Sequence, residues 1–157
     1  MQQDNAQRKS QHITNREMAW PCLGGIPNVS CAGDSLGGVA YKIGGLPMWQ
    51  ARRALSYIES NLGSKINIAE IAALAGLSKS YFSRAFKLTL GASPMAYVSM
   101  KRIERAKALI VSSTHRLSAI ALECGFADQS HLNRKFCRCV GMSPGSWRRS
   151  AATQSAG

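Results

Sequence analysis

The stretch Ile68–Pro94, IAEIAALAGLSKSYFSRAFKLTLGASP, is written a second time at Leu117–Pro144 as LSAIALECGFADQSHLNRKFCRCVGMSP. Ile71, Ala72 and Gly76 stand 49 positions before Ile120, Ala121 and Gly125. Arg84, Phe86, Gly91, Ser93 and Pro94 stand 50 positions before Arg134, Phe136, Gly141, Ser143 and Pro144. The second copy therefore carries one extra residue just after its first glycine. Two copies, and no more, argue for a duplicated module rather than a solenoid.

Within the first copy, Asn67 can cap a helix, with Glu70 reaching back to close a capping box. Ile68, Ile71, Ala72 and Ala75 form the buried face of that helix. Gly76 ends it, and Ser78 caps the next one directly. Two short helices across such a tight glycine turn are the signature of a helix-turn-helix unit. The helix after Ser78 turns Phe82, Ala85 and Phe86 to one side and Lys79, Ser80, Ser83, Arg84 and Lys87 to the other. A polar face is usually just solvated. This one pairs short hydrogen-bonding groups with cations and follows the turn, which favours a DNA-reading face.

The second copy repeats the plan. Leu117, Ile120 and Ala121 bury, Gly125 turns, and Asp128 caps the last long helix. Leu132 and Phe136 take the places of Phe82 and Phe86. Gln129, Ser130, Asn133 and Arg134 form the polar face, with His131 at its edge. Lys135 replaces Ala85, so the packing edge there is expected to be wetter.

The flanks supply three more helical segments. Pro47 opens a helix with Ala51, Leu55, Ile58 and Leu62 as its apolar stripe, and Gly63 is expected to end it in a left-handed cap. Ser93 and Pro94 start a long helix striped by Tyr97, Met100, Ile103, Ala106 and Ile110. Lys101, Arg102, Arg105 and Lys107 run beside that stripe. Ser143 and Pro144 begin a short final turn carrying Trp147, Arg148 and Arg149. The expectation is an all-α chain. Residues 1–45 form a flexible N-terminal region without an effector-binding domain. The DNA-binding domain spans 46–149, with helix-turn-helix units at about 67–88 and 117–140, a linker helix at about 94–111 and a disordered tail at 150–157.

Charge follows this division. Trp49 to Arg149 hold 16 Lys and Arg against 5 Asp and Glu, whereas residues 1–48 hold 4 against 3. A basic folded part suits a polyanionic partner, double-stranded DNA first among them. The five cysteines show no zinc-ligand spacing, so no metal and no cofactor are expected. Neither a signal peptide nor a membrane span is legible, which fits a cytoplasmic protein.

The strings A-x-x-x-G-L-S-x-x-x-x-S-R-x-F-K, G-x-S-P, R-x-x-x-A-x-x-L-I, I-A-x-x-x-G-F-x-D-Q-S-H-L-x-R-x-F and G-M-S-P-x-x-W-R together resemble the AraC/XylS family of bacterial transcription regulators. The resemblance covers Trp49 to Arg149, and G-G-L-P-M-W-Q-A-R-R from Gly44 looks like a lead-in of some members. It implies seven helices: two helix-turn-helix subdomains joined by a linker helix, each placing a recognition helix in one of two successive major-groove segments. Carried over by position, Ser80, Ser83 and Arg84 would read bases from the first unit, and Gln129, Ser130, His131, Asn133 and Arg134 from the second. Most members carry an effector-binding or dimerising domain before this one. With fewer than 50 residues preceding it here, a monomer on DNA is expected, with RNA polymerase as a further partner.

Arg84 and Arg134 can each grip guanine O6 and N7, and Gln129 or Asn133 can pair with adenine N6 and N7. The alternative for the two arginines is an internal brace to a neighbouring helix. Lys79, Lys87, Arg102, Arg105 and Arg138 are assigned to phosphates. The competing function is an architectural or weakly sequence-specific DNA-binding protein. An enzyme is not expected: two cysteines in a glycine-rich lead, Cys22 and Cys31, cannot supply the four ligands of a repair-type zinc site.

Overall fold

Most of the helices begin where a side chain accepts from their free N–H groups; the two that follow Pro47 and Arg116 begin without one. The computed structural model describes residues 44–155 and sets out seven helices there. They are α1 (Met48–Ser60), α2 (Ile68–Leu74), α3 (Lys79–Leu90), α4 (Pro94–Ser112), α5 (Leu117–Glu123), α6 (Gln129–Val140) and α7 (Pro144–Ser155). Asn67 Oδ1 accepts from the Ala69 N–H at 3.0 Å, and Ser78 Oγ from Tyr81 at 3.3 Å. Ser93 Oγ accepts from Ala96 at 3.4 Å, and Asp128 Oδ1 from His131 at 2.6 Å. Removing the last of these caps by Asp128→Ala is expected to cost about 0.5–2 kcal/mol in urea unfolding, because α6 then starts with an unpaired donor.

Glu70 departs from the expected capping box. Its carboxylate accepts from the Asn67 side-chain amide at 3.2 Å and from the Tyr57 hydroxyl at 2.9 Å, and so ties α2 to α1. Gln50, buried on α1, donates to the Ala75 carbonyl at 2.8 Å and satisfies the end of α2 from the other side.

Both turns are built the same way. Gly76 and Gly125 stand at φ 68° and 80°. The Leu77 N–H reaches the Ala72 carbonyl, and the Phe126 N–H the Ala121 carbonyl, each at 2.9 Å. The extra residue, Ala127, falls after these bonds and before the Asp128 cap. It therefore lengthens the approach to α6 without altering the turn; Phe126 is almost fully buried where the equivalent Leu77 is half-buried.

Two further expectations are corrected. Gly63 does not adopt a left-handed cap; α1 closes at Asn61 with φ −117°. Gly63 is instead a point of close approach, where a Cβ would stand 2.9 Å from the Glu123 carbonyl oxygen. The segment after Arg149 is not a disordered tail as far as Ser155: α7 continues through it. Ala151 and Ala152 favour helix, no Gly or Pro interrupts, and Thr153 Oγ1 bonds back to the Arg149 carbonyl at 3.0 Å. The expected flexible region at 1–45 lies, up to residue 43, outside the described residues, as do Cys22 and Cys31.

Apolar burial resolves into two cores. One gathers α1, α2, α3 and the first half of α4, down to Tyr97, Val98 and Met100. The other gathers Ile103, Ala106 and Ile110 of α4 with Ile120, Ala121, Phe126, Leu132 and Phe136. The helix between the units is thus linker and core at once, changing cores between Met100 and Ile103.

Candidate nucleic-acid interface

Packing of Phe82, Ala85, Phe86 and Leu90 into the first core fixes which side of α3 faces out. Lys79, Ser80, Arg84 and Lys87 are exposed there. Ser83 is half-buried and donates its hydroxyl to the Lys79 carbonyl at 2.8 Å, which leaves only its lone pairs for a base. On α6, burial of Leu132 and Phe136 exposes Gln129, Ser130, Asn133, Arg134 and Arg138. His131 is half-buried and stands edge-on to Phe126, ring centroids 5.4 Å apart. It borders the face rather than centring it. The Cys137 thiol lies 3.8 Å from Asn133 Oδ1, a weak tether for that amide.

Neither α3 nor α6 contains an Asp or Glu. The carboxylates nearby are held elsewhere. Glu59 and Glu104 pair with Lys101 at 3.9 and 3.4 Å, and Glu123 with Arg105 at 3.5 Å. Between their caps the two helices present cations and no carboxylate; Asp128, the cap of α6, is the acidic group at their ends.

Arg84 and Arg134 brace no neighbouring helix among the described residues. Their side chains make no hydrogen bond or ion pair among the described residues and both are exposed. The brace belongs to other arginines. Arg102 donates through Nε to the Leu62 carbonyl at 2.9 Å and through Nη2 to the Ser64 carbonyl at 2.6 Å. Arg148 does the same from α7, to Ile110 at 3.2 Å and His115 at 2.7 Å. Arg102, assigned to phosphates by sequence, is turned inward instead: two of its five N–H groups donate to these carbonyls, and burial lowers its pKa. Arg105 stays largely exposed but shares its charge with Glu123.

Sequence reasoning passed over Tyr81 and Leu88, which are 44% and 46% exposed on α3 beside the polar face. Their counterparts on α6 are His131 and Arg138. Both stand off the Phe82–Phe86 stripe, which was the signal available. Apolar groups there suit contact with thymine methyls.

Cys124 is buried in the second core, and burial pushes its thiol up to about 11, so it is no nucleophile at neutral pH. Among the described residues no three His, Cys, Asp or Glu side chains could hold a metal ion, and no helix is long and apolar enough to cross a membrane.

A family model described as a helix-turn-helix domain matches residues 71–150. The probable transcriptional regulator LumQ of Photobacterium leiognathi is 43% identical over 89 residues, 57% of this chain and 36% of its own. The chain spans about a third of the length of the curated relatives it matches. A Chromobacterium violaceum transcriptional regulator with an AraC-type DNA-binding domain superposes with a TM-score of 0.62 at 27% identity, over 66% of this chain and 92% of its own. The DNA-binding domain of AdpA, solved with a target DNA, superposes with a TM-score of 0.63 at 24% identity, over 67% and 95%, which shows the shared fold. With these matches running through both turns, both recognition helices and the helix between them, the chain belongs to the AraC/XylS family of helix-turn-helix transcription regulators, and not to a family of enzymes.

Proposed function

We propose that this chain regulates transcription by reading two successive major-groove segments of one asymmetric promoter site, as a monomer acting on chromosomal DNA in the cytoplasm. The observation that carries the proposal is the pairing of α3 with α6. They share turn and cap geometry and lack carboxylates; outward they match at Ser80 and Ser130 and at Arg84 and Arg134, and differ at Lys79 against Gln129, Ser83 against Asn133 and Lys87 against Cys137. Ser80, Ser83 and Arg84 take one half of the site. Gln129, Ser130, Asn133 and Arg134 take the other, with His131 at its margin. Because the two sets differ, one chain has no use for a palindrome. Lys79, Lys87, Arg105 and Arg138 meet phosphates, which fix position without carrying sequence. RNA polymerase at the promoter is the partner whose recruitment or exclusion such binding would alter.

Competition between selected sites and random DNA tests this. A specificity ratio of about 10³ or more at physiological salt is expected. Four phosphate contacts should make log K fall against log salt with a slope of about −3.6. A ratio near one would make the chain an architectural DNA-binding protein instead.

A further inference from the structure

A helix shared by two cores is one line of attachment, and two bodies joined along one line can rock about it. Here there is a second attachment. The loop after α1 meets the turn after α5 through two glycines set face to face with the other unit's backbone. A Cβ on Gly63 would stand 2.9 Å from the Glu123 carbonyl oxygen. A Cβ on Gly125 would overlap the Leu62 carbonyl oxygen and lie 2.8 Å from Arg102 Cζ and Nη2. Each backbone fills the space a side chain would need on the other.

Arg102 stands at this contact, in the interval of α4 between the two cores. Its fork holds Leu62 and Ser64 of the first unit, and its guanidinium carbon lies against Gly125 of the second. Arg148 makes a similar fork, but onto Ile110 and His115, both within the second unit's own framework. Gly76 offers the matching control for Gly125. Both need positive φ, yet a Cβ at Gly76 would meet nothing within 4 Å. The first turn requires glycine for its conformation alone; the second requires it also for the contact.

We infer that Arg102, with Gly63 and Gly125, forms a joint that fixes the angle between the two recognition helices, which makes Arg102 a positioning residue for binding both halves of a site together. This rests on the proposal that both units read one site. A joint that sets the angle in advance removes the ordering cost of seating the second reader. It also makes the protein intolerant of altered spacing, since one inserted base pair rotates the second half by about 35°.

Two measurements on the full chain test the joint. In the DNA-free protein, amide residual dipolar couplings from α1–α3 and from α5–α6 should fit one alignment tensor. Arg102→Met should split them into two. Gly125→Asn should do the same, whereas Gly76→Asn should not, because Asn tolerates positive φ and only position 125 is crowded. On DNA, the wild type should lose about tenfold or more in affinity when one base pair is inserted between the halves. Arg102→Met should bind the uninterrupted site about tenfold more weakly, lose less than about threefold on insertion, and keep its half-site affinity. Two tensors in the wild type would overturn the joint whether or not any variant folds. So would a folded Arg102→Met with one tensor and the wild-type spacing penalty. A wild type with one tensor that binds a full site no better than a half-site would leave the joint standing and sink the two-segment reading instead.

Discussion

Phe136→Ala is expected to melt the second helix-turn-helix unit under conditions in which the first stays folded. Phe136 is fully buried and packs edge-on to Trp147, ring centroids 6.3 Å apart. Cutting such a ring to a methyl costs about 3–5 kcal/mol. The second core has nine buried residues to absorb that loss, against eighteen in the first. Small cores are marginal to begin with. The equivalent Phe86 has Phe82 and Tyr97 around it at 5.4 and 5.7 Å, in the larger core. Amide hydrogen exchange on Phe136→Ala should show α5 and α6 losing protection, and α4 fraying from Ile103 onward, while α1 to α3 remain protected. Simultaneous loss in both units would show that the chain unfolds as one block.

Arg84→Ala and Gln129→Ala are expected to relax sequence preference in opposite halves of the site. Each should lose about 1–3 kcal/mol of discrimination at a single base pair, as removal of a bidentate base contact does. Arg84 has no partner in the fold among the described residues, so its loss should leave the melting temperature nearly unchanged. Selection from a randomised duplex library reads both effects at once. If either change weakens binding equally across sequences, that side chain meets phosphate rather than a base.

Most of this fold was legible because its determinants are local. Asn67, Ser78, Ser93 and Asp128 cap helices that start next to them, and Gly76 and Gly125 turn chains whose bonds span a few residues. The determinants that escaped are those whose reason lies far along the chain. Gly63 sits where a local helix cap would stand, yet its close neighbour is Glu123. Arg102, off the apolar stripe and basic, looked like a phosphate ligand; its partners are about 40 residues earlier in sequence. The last turns of α7 escaped for another cause. Their small and polar residues have the composition of a tail, and the continuous helix beginning at Pro144 carries them on. Of the candidate site, the outward faces followed from periodicity. The half-burial of His131 against Phe126 did not, because it depends on a ring five residues earlier, across the turn.

That α4 belongs to two cores bears on how such a protein can be re-engineered. A cut between Met100 and Ile103 would leave each fragment with half a helix and an uncovered apolar flank. The units are therefore not cassettes to be shuffled, although their sequences repeat. A new target specificity is better grafted as a set of outward side chains on α3 or α6, with every buried residue of the recipient left in place.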